Sequence, residues 1–197
     1  MTTRDDTSTS EDPTQAVREW ATATIGAVIL GGVAFITAIV FHIAWLVTVA
    51  SLIGPICTAG VVVALSRLAR ASGARRADVI RLIGITGSLG SFAAVLGAAF
   101  DVSFASVVSF VSGLLLSIWA VSIGESSRRD AWLPAPLPRR ALIGGLGVGV
   151  SSVALVIDPS PLSPLGIVGL VLTLPYLGFI FGLTRLGASA EAPAEVS

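Results

Sequence analysis

The sequence predicts an all-α integral membrane bundle: six transmembrane helices arranged as three in–out–in hairpins, with both termini cytoplasmic. Three observations predict it. The 197 residues are 54% hydrophobic and 12% charged, with a mean hydropathy of +0.91, whereas a water-soluble domain carries about twice that charged fraction. The apolar residues gather into six runs, each long enough at ~1.5 Å per residue to cover most or all of the ~30 Å of a bilayer's hydrocarbon. The basic residues are twelve arginines and no lysine, and they fall in segments that alternation puts on one side, or at the span ends beside them. Cytoplasmic loops carry that excess of positive charge.

Residues 1–15 form an acidic tail too polar to bury anything, and disorder is expected there. No short cleavable apolar segment follows it, which argues against a signal peptide. Within the tail, Asp12-Pro13-Thr14-Gln15 reads as a helix start, because Asp12 can cap and Pro13 needs no amide donor in the first turn. The first span runs from about Trp20 to Phe41 and the second from about Ala44 to Leu65, joined by a very short turn at His42-Ile43. Together they are too long for one helix. A tight hairpin is required, with its turn at the outer interface where water can satisfy the backbone.

Arg67, Arg70, Arg75, Arg76 and Arg81 occupy the loop that follows and pin it to the cytoplasmic side. The third span covers about Leu82–Phe100 and the fourth about Val102–Ile123, with Asp101 the only charge between them. Gly84, Gly87, Gly90, Ser91 and Gly97, and the Ser109, Gly113, Ser117 stripe, are residues that let helix backbones approach closely in lipid. Residues 124–140 form the second cytoplasmic connection, carrying Arg128, Arg129, Arg139 and Arg140. Its Trp132–Pro138 stretch has proline at every second position and reads as a stiff, extended spacer without the PxxP register. The fifth span, about Ala141–Ile157, has Gly145 and Gly149 four apart. After the Asp158–Pro164 outer loop, the sixth span covers about Leu165–Leu183, with Gly178 and Gly182 four apart. One domain is expected over 16–186, with a disordered tail at 187–197.

Each hairpin has a polar residue at its outer tip: His42, Asp101 and Asp158. Units of like orientation are related by an axis along the membrane normal. The layout resembles that of the six-span family that includes the acid-resistance membrane proteins, chiefly through Ile157-Asp158-Pro159-Ser160 at the third turn. That resemblance implies a layout and no particular activity.

The composition excludes several chemistries. Without lysine there is neither a retinal Schiff base nor a phosphate-binding Gly-Lys-Ser/Thr loop. One cysteine, Cys57, forms no intrachain disulfide, and one histidine supplies neither a bis-histidine haem site nor an H-E-x-x-H zinc site. No charged residue falls near a span midplane, so coupling through a buried carboxylate has no candidate. His42, Asp101 and Asp158 could share a depth and hold a divalent metal or sense pH. The simpler reading makes Asp101 a cap for the fourth helix, Asp158 a turn residue before proline, and His42 an interfacial polar group. Pro55 and Pro175 lie within spans and are candidate kinks. The 67–81 arginine loop lacks interleaved aromatics of the kind that stack bases, so anionic lipid headgroups are the expected partners of the arginine segments and nucleic acid is not.

No catalytic residue, cofactor or metal is assigned. The expectation is a non-enzymatic, multi-pass cell-membrane protein acting as an accessory, scaffold or stress-associated component, through a membrane protein partner or a homo-oligomer. The alternative is a small permease or channel for a neutral or apolar solute. A polar cavity running from one face to the midplane would favour transport, and a tightly packed apolar bundle would favour a partner.

Overall fold

Asp12 accepts a hydrogen bond from the Thr14 amide at 2.9 Å, and Pro13 follows it. Helix α1 (Pro13–Phe41) therefore begins where a side-chain cap meets a residue that has no amide to orphan. Residues 13–15, expected in the tail, are its first turn. The structure is a computed structural model and describes residues 12–157 and 163–186, with α2 (Ala44–Ala71), α3 (Ala77–Ala99), α4 (Ala105–Asp130), α5 (Leu137–Ile157) and α6 (Pro164–Leu183). All six are long and apolar enough to cross a membrane.

The helices outrun the predicted spans at the arginine-bearing end. Helix α2 continues past Leu65 to Ala71, α3 starts five residues early, and α4 runs on to Asp130. Arginine, alanine and leucine are strong helix formers, and arginine's stem stays on apolar surface while its head reaches water. The arginine loop thus shrinks to 72–76. Its second residue is Gly73 at φ +80°, where the Ala74 amide donates to the Ala69 carbonyl and the Gly73 amide to the Arg70 carbonyl, the paired bonds that close a helix C-terminus. Ser163 opens α6 by accepting from the Gly166 amide at 3.0 Å, with Pro164 next.

Consecutive helices run antiparallel, as their glycine contacts show. Gly84, Gly87, Gly90 and Gly97 of α3 face Trp119, Leu116, Ser112 and Ala105 of α4 in reverse order. Gly113, Gly124, Gly145 and Gly149 seat α4 against α5, and the Ser117 hydroxyl crosses that contact to the Gly145 carbonyl at 2.7 Å. Gly144, Gly147 and Gly169 bring the backbones of α5 and α6 together. Lipid tails are as apolar as leucine, so such van der Waals contact, not burial from water, holds helices together in a bilayer.

Each helix packs along its predecessor, and α6 returns to meet α1 in a short contact only. The result is a ring with a thin sixth side. Its core lies toward the arginine end, where all six helices contribute to one cluster. Trp119, Phe179, Leu65, Ile123 and Leu183 are its largest fully buried members.

Candidate functional site

The thin side of the ring is the place to look for function. At the arginine end α1 and α6 are closed by Val17, Ala21 and Leu183, and by Arg18, whose Nε and Nη2 both donate to the Leu186 carbonyl, at 3.1 and 2.9 Å. Beyond this clasp the helices part. A cavity of about 460 Å³ opens between them, walled by Thr24, Ile25, Val28 and Ile29 of α1, Gly54 and Thr58 of α2, and Tyr176, Leu177 and Phe181 of α6. Its lining is almost wholly apolar. The Thr24 and Thr58 hydroxyls donate to the Trp20 and Gly54 carbonyls of their own helices, at 2.8 and 2.9 Å.

Further from the arginine end, α1 is bare. Val28, Ile29, Leu30, Val33, Phe35, Ile36, Val40 and Phe41 are each more than half exposed. Three consecutive residues cannot share one helical face at 3.6 residues per turn, so this part of α1 is uncovered over most of its circumference. Among its described side chains only the stripe of Ala27, Ala34 and Ala38 is buried. The glycines tell the same story. Those described on α3, α4 and α5 all meet a neighbour within 4 Å, whereas Gly26, Gly31 and Gly32 of α1, and Gly54 on the cavity wall, face open space.

Compared with known proteins, the chain matches no family model, no curated protein and no solved structure. None of these comparisons supports the likeness in layout to the acid-resistance proteins. Three of its four turn residues, Asp158, Pro159 and Ser160, lie outside the described residues.

Of the residues read as outer tips, Asp101 takes a different role from the one expected. His42 and Asp101 are exposed and adopt left-handed backbone at φ 55° and 53°. Asp101 ends α3: its own amide bonds Ala98 and the Val102 amide bonds Gly97 at 2.8 Å. It does not cap α4, which starts after Phe104 without a side-chain cap. His and Asp are several-fold enriched in this region of backbone space, which gives both residues a conformational reason to be there. Asp158, the third tip, is outside the described residues, and among those described no three His, Cys, Asp or Glu side chains converge on a metal-sized site.

The arginines sit together at one end of the bundle. Arg67 and Arg70 are on α2, Arg75 and Arg76 in the connection, Arg81 on α3, Arg128 and Arg129 in the last turn of α4, and Arg139 and Arg140 in the first turns of α5. Arg70 pairs with Asp78, and Arg129 with Glu125 at 2.8 Å. Arg140 reaches across to the Gly178 carbonyl at 3.2 Å, and Leu137 lies over Gly182. The Gly178, Gly182 face of α6 is thus filled from within the chain. Trp132, expected in a stiff, extended spacer, packs on the Ala69, Ala74, Ala77 cluster and ties the two arginine-end connections together.

Helices α2 and α6 run unbroken through Pro55 and Pro175. Each proline still leaves one carbonyl, Ser51 and Val171, without its helical donor. Both stand next to cavity walls, Pro55 between Gly54 and Thr58, Pro175 just before Tyr176. What sequence reasoning missed is the seam itself. Its trace in the sequence is the pairing of Gly26, Gly31 and Gly32 with large apolar neighbours on every side of α1.

Proposed function

We propose that this chain is a non-enzymatic, multi-pass cell-membrane protein that acts by holding the transmembrane helix of a partner in the open α1–α6 seam, with its arginine end and both termini cytoplasmic. The observation that carries the reading is the contrast among the glycines. A glycine costs a helix ~1 kcal/mol relative to alanine. On α3, α4 and α5 that cost is offset by close helix packing, whereas at Gly26, Gly31 and Gly32 nothing among the described residues offsets it. A second helix laid along α1 would restore the balance and cover the exposed apolar girth. The permease alternative needs a path through the bundle. The cavity opens sideways, and the arginine-end half of the ring is filled by Trp119, Phe179 and Leu183, an arrangement that favours lateral association.

A photo-crosslinking residue at Val28, Ile29 or Phe181 should yield a protein adduct in native membranes. The same probe at Leu82 or Leu89, exposed on α3, should yield lipid adducts alone. Lipid adducts alone at all five positions would sink the proposal, and an adduct of twice the chain's mass would identify the partner as a second copy.

A further inference from the structure

At the arginine end of α1 and α2 lies a second cavity, of about 490 Å³, whose walls include Glu19, Trp20, Ala23, Val63, Ala64 and Arg67. Its chemistry is unlike that of the seam. One wall offers a carboxylate, the other a guanidinium, and among the described residues neither is ion-paired. Glu19 Oε1 accepts from Gln15 Nε2 at 2.9 Å, which leaves its second oxygen to face a ligand. The indole of Trp20 lines the same groove and is seated on α2 by an absence: Gly60 presents no side chain, and a Cβ there would fall within the Trp20 ring.

The height of these groups is fixed by the hairpin. Glu19 precedes the His42-Ile43 turn by 23 residues and Arg67 follows it by 24. At ~1.5 Å per residue both stand ~35 Å from the turn, just beyond the ~30 Å of hydrocarbon and level with lipid phosphates. We propose that this groove binds a phospholipid with a primary-amine headgroup, of the phosphatidylethanolamine class. Arg67 takes the phosphate through charge-assisted N–H bonds. Glu19 accepts from the ammonium, and the face of Trp20 adds a cation–π contact. The apolar floor of Ala23, Val63 and Ala64 receives the start of an acyl chain. An anionic headgroup without an amine gives Arg67 its phosphate but leaves the Glu19 carboxylate without a cationic donor, and a quaternary choline has no N–H to give it. The inference requires a membrane but makes no use of α6, so it stands or falls separately from the seam.

The test is native mass spectrometry of the full chain in neutral detergent. Phosphatidylethanolamine, phosphatidylglycerol and phosphatidylcholine with identical acyl chains are added singly at equal concentration. The amine lipid should be retained about tenfold more than the others, the scale of one hydrogen bond to a charged group. Glu19→Gln should bring it down to the phosphatidylglycerol level, and Arg67→Gln should lower both. Equal retention of the three lipids by the unaltered protein overturns the proposal without recourse to any variant. So does a preference that survives Glu19→Gln, or one indifferent to Arg67→Gln.

Discussion

Gly144 and Gly32 are the same residue in the same kind of helix, yet the structure gives them opposite prospects. A methyl group at Gly144 would run into the backbone of Tyr176, which has no rotamer to yield, while one at Gly32 meets nothing within 4 Å. Gly144→Ala should therefore lose ~1–3 kcal/mol of stability through overpacking, whereas Gly32→Ala should gain up to ~1 kcal/mol from helix propensity. Thermal unfolding of both in one detergent checks the pair, and equal shifts would contradict the packing described here. At this scale the sequence was partly legible. The small residues of α3, α4 and α5 pointed to close helix approach because their chemistry permits little else in lipid. Asp101 was misread as a cap for the fourth helix, because charge drew attention to capping while its decisive property, shared with His42, was tolerance of left-handed backbone.

Between elements, the α1–α6 clasp is the contact with most at stake. Arg18 gives two hydrogen bonds to one carbonyl, that of Leu186, joining residues 168 positions apart. Arg18→Leu keeps an apolar stem and removes both donors, so it should cost ~1.5–3 kcal/mol. A melting curve measures the loss. Disulfide trapping of Val17→Cys with Leu183→Cys in a Cys57→Ser background should form more slowly when Arg18 is also replaced. Helix number and order were legible, since hydropathy and arginine placement report them directly. Helix ends at the arginine face were not, because a hydropathy window stops at the first charges whereas the backbone continues through them to Gly73 and Ala131. The seam was illegible for a different reason: hydropathy gives the same value to a leucine against a neighbouring helix and a leucine against lipid.

Across the molecule, nearly all charged residues described gather at one end of the bundle, with Asp101 at the other. The orientation proposed above, with the arginine end cytoplasmic, is the one the positive-inside rule favours. In a Cys57→Ser background, Asp101→Cys should react with a membrane-impermeant maleimide added to intact cells, and Ser72→Cys only after permeabilisation. The reverse pattern would invert the orientation proposed above. Because each helix packs chiefly on its sequence neighbours, most contacts are local and should form early, leaving the α1–α6 closure as the step that spans the chain. That closure has one more consequence. Pro13 and Leu186 flank the same clasp at the same end of the ring, so the polypeptide is a loop of six helices lacking a single covalent link. A circular permutant that joins the two tails and opens at Arg75-Arg76 should fold to the same ring, with the seam carried intact into the interior of the chain.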